Sequence, residues 1–143
     1  SENRKAYFNY KIIEKFEAGV ELKGYEVKSV KAGRANIAGS FATVKDNQIW
    51  LTGADIPPYQ PKNTPPDYDP THSRRLLLNR KEIAYLIGKM QSDRLTLVPL
   101  KLYNKAGRIK VELGLARGKR QYEKRETIKK RETGREIRRT LKS

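Results

Sequence analysis

A chain of 143 residues with 32 lysines and arginines, 16 acids, no cysteine and a single histidine excludes disulfide frameworks, thiolate metal centres, cysteine nucleophiles and multi-histidine zinc sites. No run approaches the ~20 apolar residues of a membrane span, and the N-terminus lacks a signal-peptide core, so the expectation is a soluble, cytoplasmic protein without a membrane role. The formal net charge of +16 points to a polyanionic partner, above all nucleic acid.

In chain order, Phe8, Tyr10, Ile12 and Phe16 fall on alternate positions, with Ile13 on the other face, which is the period of a strand. Glu17-Ala18-Gly19 interrupts that pattern. A short helix fits Val20–Lys31, with Gly33 just past its end. Phe41–Val44 and Ile49–Leu51 flank Lys45-Asp46-Asn47-Gln48, and Asp-Asn between β-formers is hairpin chemistry. Pro57 to Pro70 holds six of the seven prolines and reads as a long surface loop. Asn79 and Glu82 have the spacing of an N-cap and its N3 partner. Behind them Ile83, Leu86, Ile87 and Met90 form an apolar stripe at helical spacing. Leu95–Tyr103 and Arg108–Ala116 read as strands joined by Asn104-Lys105-Ala106-Gly107. The second alternates Ile109, Val111, Leu113 and Leu115 with Lys110, Glu112 and Gly114. Short antiparallel strands, two helices and no βαβ rhythm predict a mainly β fold with helices. The expected form is a closed antiparallel OB-like β-barrel with packed helices over residues 1–116.

Arg117–Ser143 is different. It carries twelve basic residues against four acids, half of the chain's net charge, and its large apolar residues are only Tyr122, Ile128, Ile137 and Leu141. Such a tail (residues 117–143) is expected to be disordered when free, until a polyanion supplies counter-charge. Lys124-Arg125-Glu126-Thr127 recurs as Lys130-Arg131-Glu132-Thr133, and Thr133 with Glu136 has capping-box spacing. Pairs such as Glu126 with Lys129 and Lys130 favour a helix by ~0.2–0.5 kcal/mol each. Gly134 opposes it by ~1 kcal/mol relative to alanine. The tail is therefore expected to be helical once held on RNA.

Catalysis has little support. Glu14, Glu17, Glu21 and Glu26 cluster early and Asp67 and Asp69 lie in the proline-rich loop, but such acids are ordinary on solvated surfaces. His72 beside Arg74 and Arg75 carries a basic-nuclease alternative. Neither a Gly-rich phosphate loop nor metal-ligand spacing is present, so the reading is a non-enzymatic binding protein without cofactor. Tyr7, Phe8, Tyr10, Tyr25, Trp50, Tyr59 and Tyr103 are interleaved with basic residues, yet aromatics in strands are more often core. Tyr122 lies between Arg120 and Lys124, where there is no core to join, and is the better candidate for stacking on a base. A generic OB-type RNA binder, or a ribosomal protein with a basic extension, fits the same pattern.

Asn3-Arg4-Lys5-Ala6, Phe16-Glu17-Ala18-Gly19, Gly24-Tyr25-Glu26-Val27-Lys28-Ser29 and Ala32-Gly33-Arg34-Ala35-Asn36 carry a resemblance. It continues through Arg75-Leu76-Leu77-Leu78-Asn79, Val98-Pro99-Leu100-Lys101-Leu102-Tyr103 and Gly114-Leu115-Ala116-Arg117-Gly118-Lys119. In these segments, and in their order, the chain resembles the small protein B family, the bacterial tmRNA-binding (SsrA-binding) proteins. The resemblance implies an OB-type barrel that binds the tRNA-like domain of tmRNA and delivers it to stalled ribosomes for trans-translation, or ribosome rescue. It implies a tail that enters the empty message channel near the decoding centre. Elongation factor Tu and alanyl-tRNA synthetase would be partners through tmRNA. Asn3, Glu17 and Leu77 match the family's tmRNA-binding positions. The family's Asp-Lys-Arg stands here as Glu123-Lys124-Arg125. Beside it, Tyr122, Arg117, Lys119 and Arg120 are the expected contacts with small-subunit rRNA.

Overall fold

The alternation read in the last strand becomes two faces. Ile109, Val111, Leu113 and Leu115 are buried, whereas Arg108, Lys110 and Glu112 reach outward. The computed structural model describes residues 1–142, with side chains described through residue 134. Among these residues the order is α1 (Arg4–Asn9), β1 (Tyr10–Val20), α2 (Gly24–Lys31), β2 (Phe41–Lys45), β3 (Gln48–Thr52), β4 (Arg74–Leu77), α3 (Arg80–Ser92), β5 (Thr96–Lys105), β6 (Arg108–Gly118) and α4 (Gln121–Lys142). The strands form an antiparallel sheet in the order β2-β3-β4-β1-β6-β5. Ile37, Ile49, Leu51, Leu76, Leu86 and Leu113 lie in the core it covers. No helix among the described residues is long and apolar enough to cross a membrane.

The fold is mixed α/β, and the expectation of a mainly β, closed OB-like barrel is overturned. β2 and β5 approach each other, but among the described residues no pairing joins these two edges. The free edge of β5 is already occupied by the first three residues. The Ser1 amino group donates to Leu102 O at 2.9 Å. Leu102 N–H donates to Ser1 O at 2.8 Å, and Asn3 N–H to Leu100 O at 2.9 Å. Closure would require those same groups for β2.

Local chemistry explains where the elements begin and end. Arg4–Asn9 forms α1 around the buried Ala6, so β1 starts only at Tyr10. It then runs through Glu17-Ala18-Gly19, where the sequence suggests an interruption. The small residues allow a close approach instead: a Cβ on Gly19 would lie 3.3 Å from Leu77 Cβ. Asp46 and Asn47 both take left-handed φ (53° and 56°) in the β2–β3 turn, the conformation a two-residue hairpin demands. In α3, Asn79 Oδ1 accepts from Glu82 N–H at 2.8 Å, as the capping spacing predicts. Of the tail expected to be disordered when free, Arg117 and Gly118 end β6 and Gln121–Lys142 form α4. Thr133 lies inside α4 rather than ahead of a new helix, and the Glu136 side chain lies outside the described residues.

β4 was hidden in the sequence because one of its two inward positions is an arginine. Arg74 and Glu26 are each 1% exposed, and Arg74 Nε donates to Glu26 Oε2 at 2.7 Å. Nη1 donates to Ala54 O (3.0 Å) and His72 O (3.1 Å), and Nη2 to the Tyr68 hydroxyl (3.1 Å) and Pro70 O (2.8 Å). All five guanidinium N–H groups are therefore used. Glu26 Oε1 accepts from Lys23 N–H at 2.8 Å, and His72 Nε2 lies 2.9 Å from Glu26 Oε2. Burial alone would raise the Glu26 carboxyl. The Lys23 N–H and the Arg74 guanidinium outweigh it and hold the group below its ordinary 4.5.

Two outcomes follow from this pair. Arg74→Met leaves a buried carboxylate without its partner and is expected to cost about 3–5 kcal/mol in urea unfolding. A loss below 1 kcal/mol would show that the pair does not hold the fold. The unfolded chain binds the Glu26 proton more readily than the folded one, so this contribution is present above pH 4.5 and lost as pH falls through the lower folded value. Glu26→Gln should accordingly flatten the acid limb of the stability–pH curve.

Candidate nucleic-acid interface

The strand register assembles the outer face of the sheet row by row. Leu77 on β4 pairs with Gly19 on β1, Gly19 with Lys110 on β6, and Lys110 with Tyr103 on β5. Two residues along, on the same face, Glu17 pairs with Glu112 and Glu112 with Lys101. Lys15 lies 3.5 Å from Glu112 and Lys105 lies 3.2 Å from Glu17. Lys101, Arg108 and Lys110 complete a basic border.

Glu17 is the organiser of this face. The Tyr103 hydroxyl donates to its Oε2, and Lys105 Nζ donates to both of its oxygens, at 3.3 and 3.2 Å. The Tyr103 bond, then Lys105, hold the Glu17 carboxyl below the usual range. Burial, with the Glu17 bond second, pushes the Tyr103 phenol up to about 12. An acid on a basic face is thus accounted for: it fixes an aromatic ring and a cation.

Of the three residues expected to meet tmRNA, Glu17 and Leu77 share this face, and Leu77 is 47% exposed there. Asn3 does not join them. It is buried, its Nδ2 donates to Pro99 O at 3.0 Å, and its Oδ1 has no hydrogen-bond partner. Sequence reasoning took Tyr103 for a core-type aromatic. The signal that finds it is parity: Leu102 is buried and Tyr103 faces the other way, but a register shift between Pro99 and Lys101 obscures the phase earlier in β5.

A second basic surface begins where β6 ends. Arg117 grips Glu123 with two hydrogen bonds, Nη1 to Oε1 at 2.9 Å and Nη2 to Oε2 at 3.1 Å. Lys119 Nζ donates to Thr127 Oγ1 at 2.8 Å, and Lys119 N–H to Asn9 O at 2.7 Å. Lys124 Nζ lies 5.9 Å from the centre of the Phe8 ring. Arg117, Lys119, Glu123 and Lys124 are therefore held at the base of α4, by one another, by Thr127 and by Phe8, while Arg120, Tyr122 and Arg125 are exposed. Tyr122 is 56% exposed, as expected of an aromatic with no core to join. His72, the residue of the nuclease alternative, is held between Glu26 and Ser73 O, the latter at 3.0 Å.

An exposed sheet face bordered by lysine and arginine, continued by a basic helix, defines a nucleic-acid-binding protein. The family model described as SmpB protein matches residues 1–143. The SsrA-binding protein of Trichodesmium erythraeum (strain IMS101) is 49% identical over 142 residues, 99% of this chain and 91% of that protein. That of Carboxydothermus hydrogenoformans is 48% identical over 143 residues, 100% of this chain and 95% of its own. A solved structure described as "tmRNA-SmpB: a journey to the center of the bacterial ribosome" is 45% identical, with a TM-score of 0.67, covering 90% of this chain and 93% of its own. The chain belongs to the SmpB protein family.

The clasp at the base of α4 makes a direct prediction. Arg117→Glu should speed amide exchange over residues 123–127 roughly twofold to fivefold, the scale of an exposed ion pair. Adding Glu123→Arg should recover part of the protection. Equal exchange in all three proteins would show that the clasp does not order the helix.

Proposed function

We propose that this chain binds the tRNA-like domain of tmRNA and delivers it to stalled ribosomes for trans-translation, with α4 lying in the empty message channel near the decoding centre. The observation that carries the reading is the sheet face itself. It brings Glu17 and Leu77 together within a basic border, on a chain 49% identical to a protein named for binding SsrA RNA. Glu17 and Leu77 act on tmRNA through that face. Asn3 acts on it by holding the first residues against β5.

Residues 1–116 and 117–143 divide the work. Arg117, Lys119, Arg120, Tyr122, Glu123, Lys124 and Arg125 serve the ribosomal step, with Tyr122 stacking on a small-subunit rRNA base. Elongation factor Tu and alanyl-tRNA synthetase are partners through tmRNA rather than through this chain. A ribosomal partner implies action in the cytoplasm, and the chain contributes binding rather than a catalytic step.

Because β6 pairs with β1 as far as Gly118, the division is best tested by removing residues 121–143 only. The shortened chain should keep its affinity for the tRNA-like domain and lose peptide tagging on stalled ribosomes. Loss of tmRNA binding would overturn the division, and retained tagging would remove α4 from the mechanism.

A further inference from the structure

Tyr103 stands on β5 and Glu17 on β1, with β6 between them. Neighbouring strands lie ~4.8 Å apart, so these two backbones are separated by about twice that distance. The phenol nevertheless reaches the Glu17 carboxylate. To do so the side chain must lean across β6, from the row of Lys110 toward the row of Glu112. A ring laid over a strand turns one face to the backbone and the other outward. Lys101 Nζ lies 5.7 Å from the ring centre. Lys105 is tied to the same carboxylate, and Lys110 is the cross-strand partner of Tyr103. An aromatic face with three lysines around it matches the stacking-plus-phosphate chemistry by which single-stranded nucleotides are held.

We propose that Tyr103 is a platform on which an unpaired nucleobase stacks, and that Glu17 is its positioning residue, holding the ring flat through the phenol rather than contacting RNA itself. The proposal rests on the reading of the sheet face as the tmRNA surface. It accounts for an acid at the centre of a basic face, because Glu17 has both oxygens engaged by Tyr103 and Lys105 before any RNA is present.

The experiment measures binding of the tRNA-like domain of tmRNA, with elongator tRNA as competitor, across a salt series. Wild-type protein that does not prefer the tRNA-like domain overturns the tmRNA reading itself. Given that preference, Tyr103→Ala should weaken binding at least about fivefold, the lower end of what a stacked base contributes. The slope of log K against log salt should stay unchanged, because no phosphate contact is lost. Tyr103→Phe keeps the ring but loses the hydroxyl that Glu17 holds, so it should weaken binding about as much as Glu17→Leu and less than Tyr103→Ala. Lys110→Ala, by contrast, should reduce the slope by about one unit. Glu17→Leu should weaken binding alone but add nothing to Tyr103→Ala. Undiminished binding by Tyr103→Ala would sink the platform, as would a loss that comes with a reduced salt slope. Additive losses from Glu17→Leu and Tyr103→Ala would return Glu17 to a direct contact. Circular dichroism melting of each variant separates loss of binding from loss of fold.

Discussion

The buried ion pair between Arg74 and Glu26 decides how the rest of the sheet is used. The segment Arg74-Arg75-Leu76-Leu77-Leu78 has no apolar alternation that fixes its phase, since leucines stand at both parities. With Arg74 drawn inward by Glu26 and by four further acceptors, strand geometry sends Leu76 inward and Arg75 and Leu77 outward. An arginine in the core thus determines that a leucine is exposed on the outer sheet face. The same guanidinium anchors the proline-rich loop through Pro70 and Tyr68 and anchors α2 through Glu26. A pair of buried charges stabilises less than apolar packing of equal volume, but its geometry selects one register.

The open sheet has a related logic. A closed barrel would bury the free edge of β5 against β2; here the first residues take that edge, and the face carrying Tyr103, Glu17 and Leu77 stays accessible. Asn3 belongs to this arrangement. Its buried side chain reaches Pro99 O, the residue after which the β5–β6 register shifts. Asn3, which stands at a position matching the family's tmRNA-binding residues, thus also helps to hold β5.

Much of this was legible in the sequence, and the failures have physical causes. The β2–β3 hairpin, α3 with its Asn79–Glu82 cap, and the β5–β6 pair were readable because each rests on local chemistry: positive φ in a turn, a reciprocal cap, strict alternation. The closed barrel was not, because closure is a long-range property decided by what occupies one strand edge. β4 was missed because a buried arginine breaks the apolar pattern, and β1 was cut short because Ala18 and Gly19 look like a break when they permit close packing against Leu77. Among the candidate site residues, the exposure of Tyr122 was legible because it sits in a segment without a core. The outward placement of Tyr103 was not legible, because a strand aromatic carries no sign of which face it occupies until its neighbours set the phase.

Three acids of this strongly basic chain show a common use. Glu26, Glu17 and Glu123 each engage a cation and a second donor: Arg74 with Lys23 N–H, Lys105 with the Tyr103 hydroxyl, Arg117 with Arg120 N–H. Net charge alone would draw a polyanion to any part of the surface, with affinity but little orientation. A carboxylate that holds a cation lowers the local attraction, yet it also removes rotamer freedom that binding would otherwise have to freeze. Three acids placed at the core, at the sheet face and at the base of α4 therefore turn a diffuse positive field into two surfaces with fixed side chains, joined at Gly118 to Arg120.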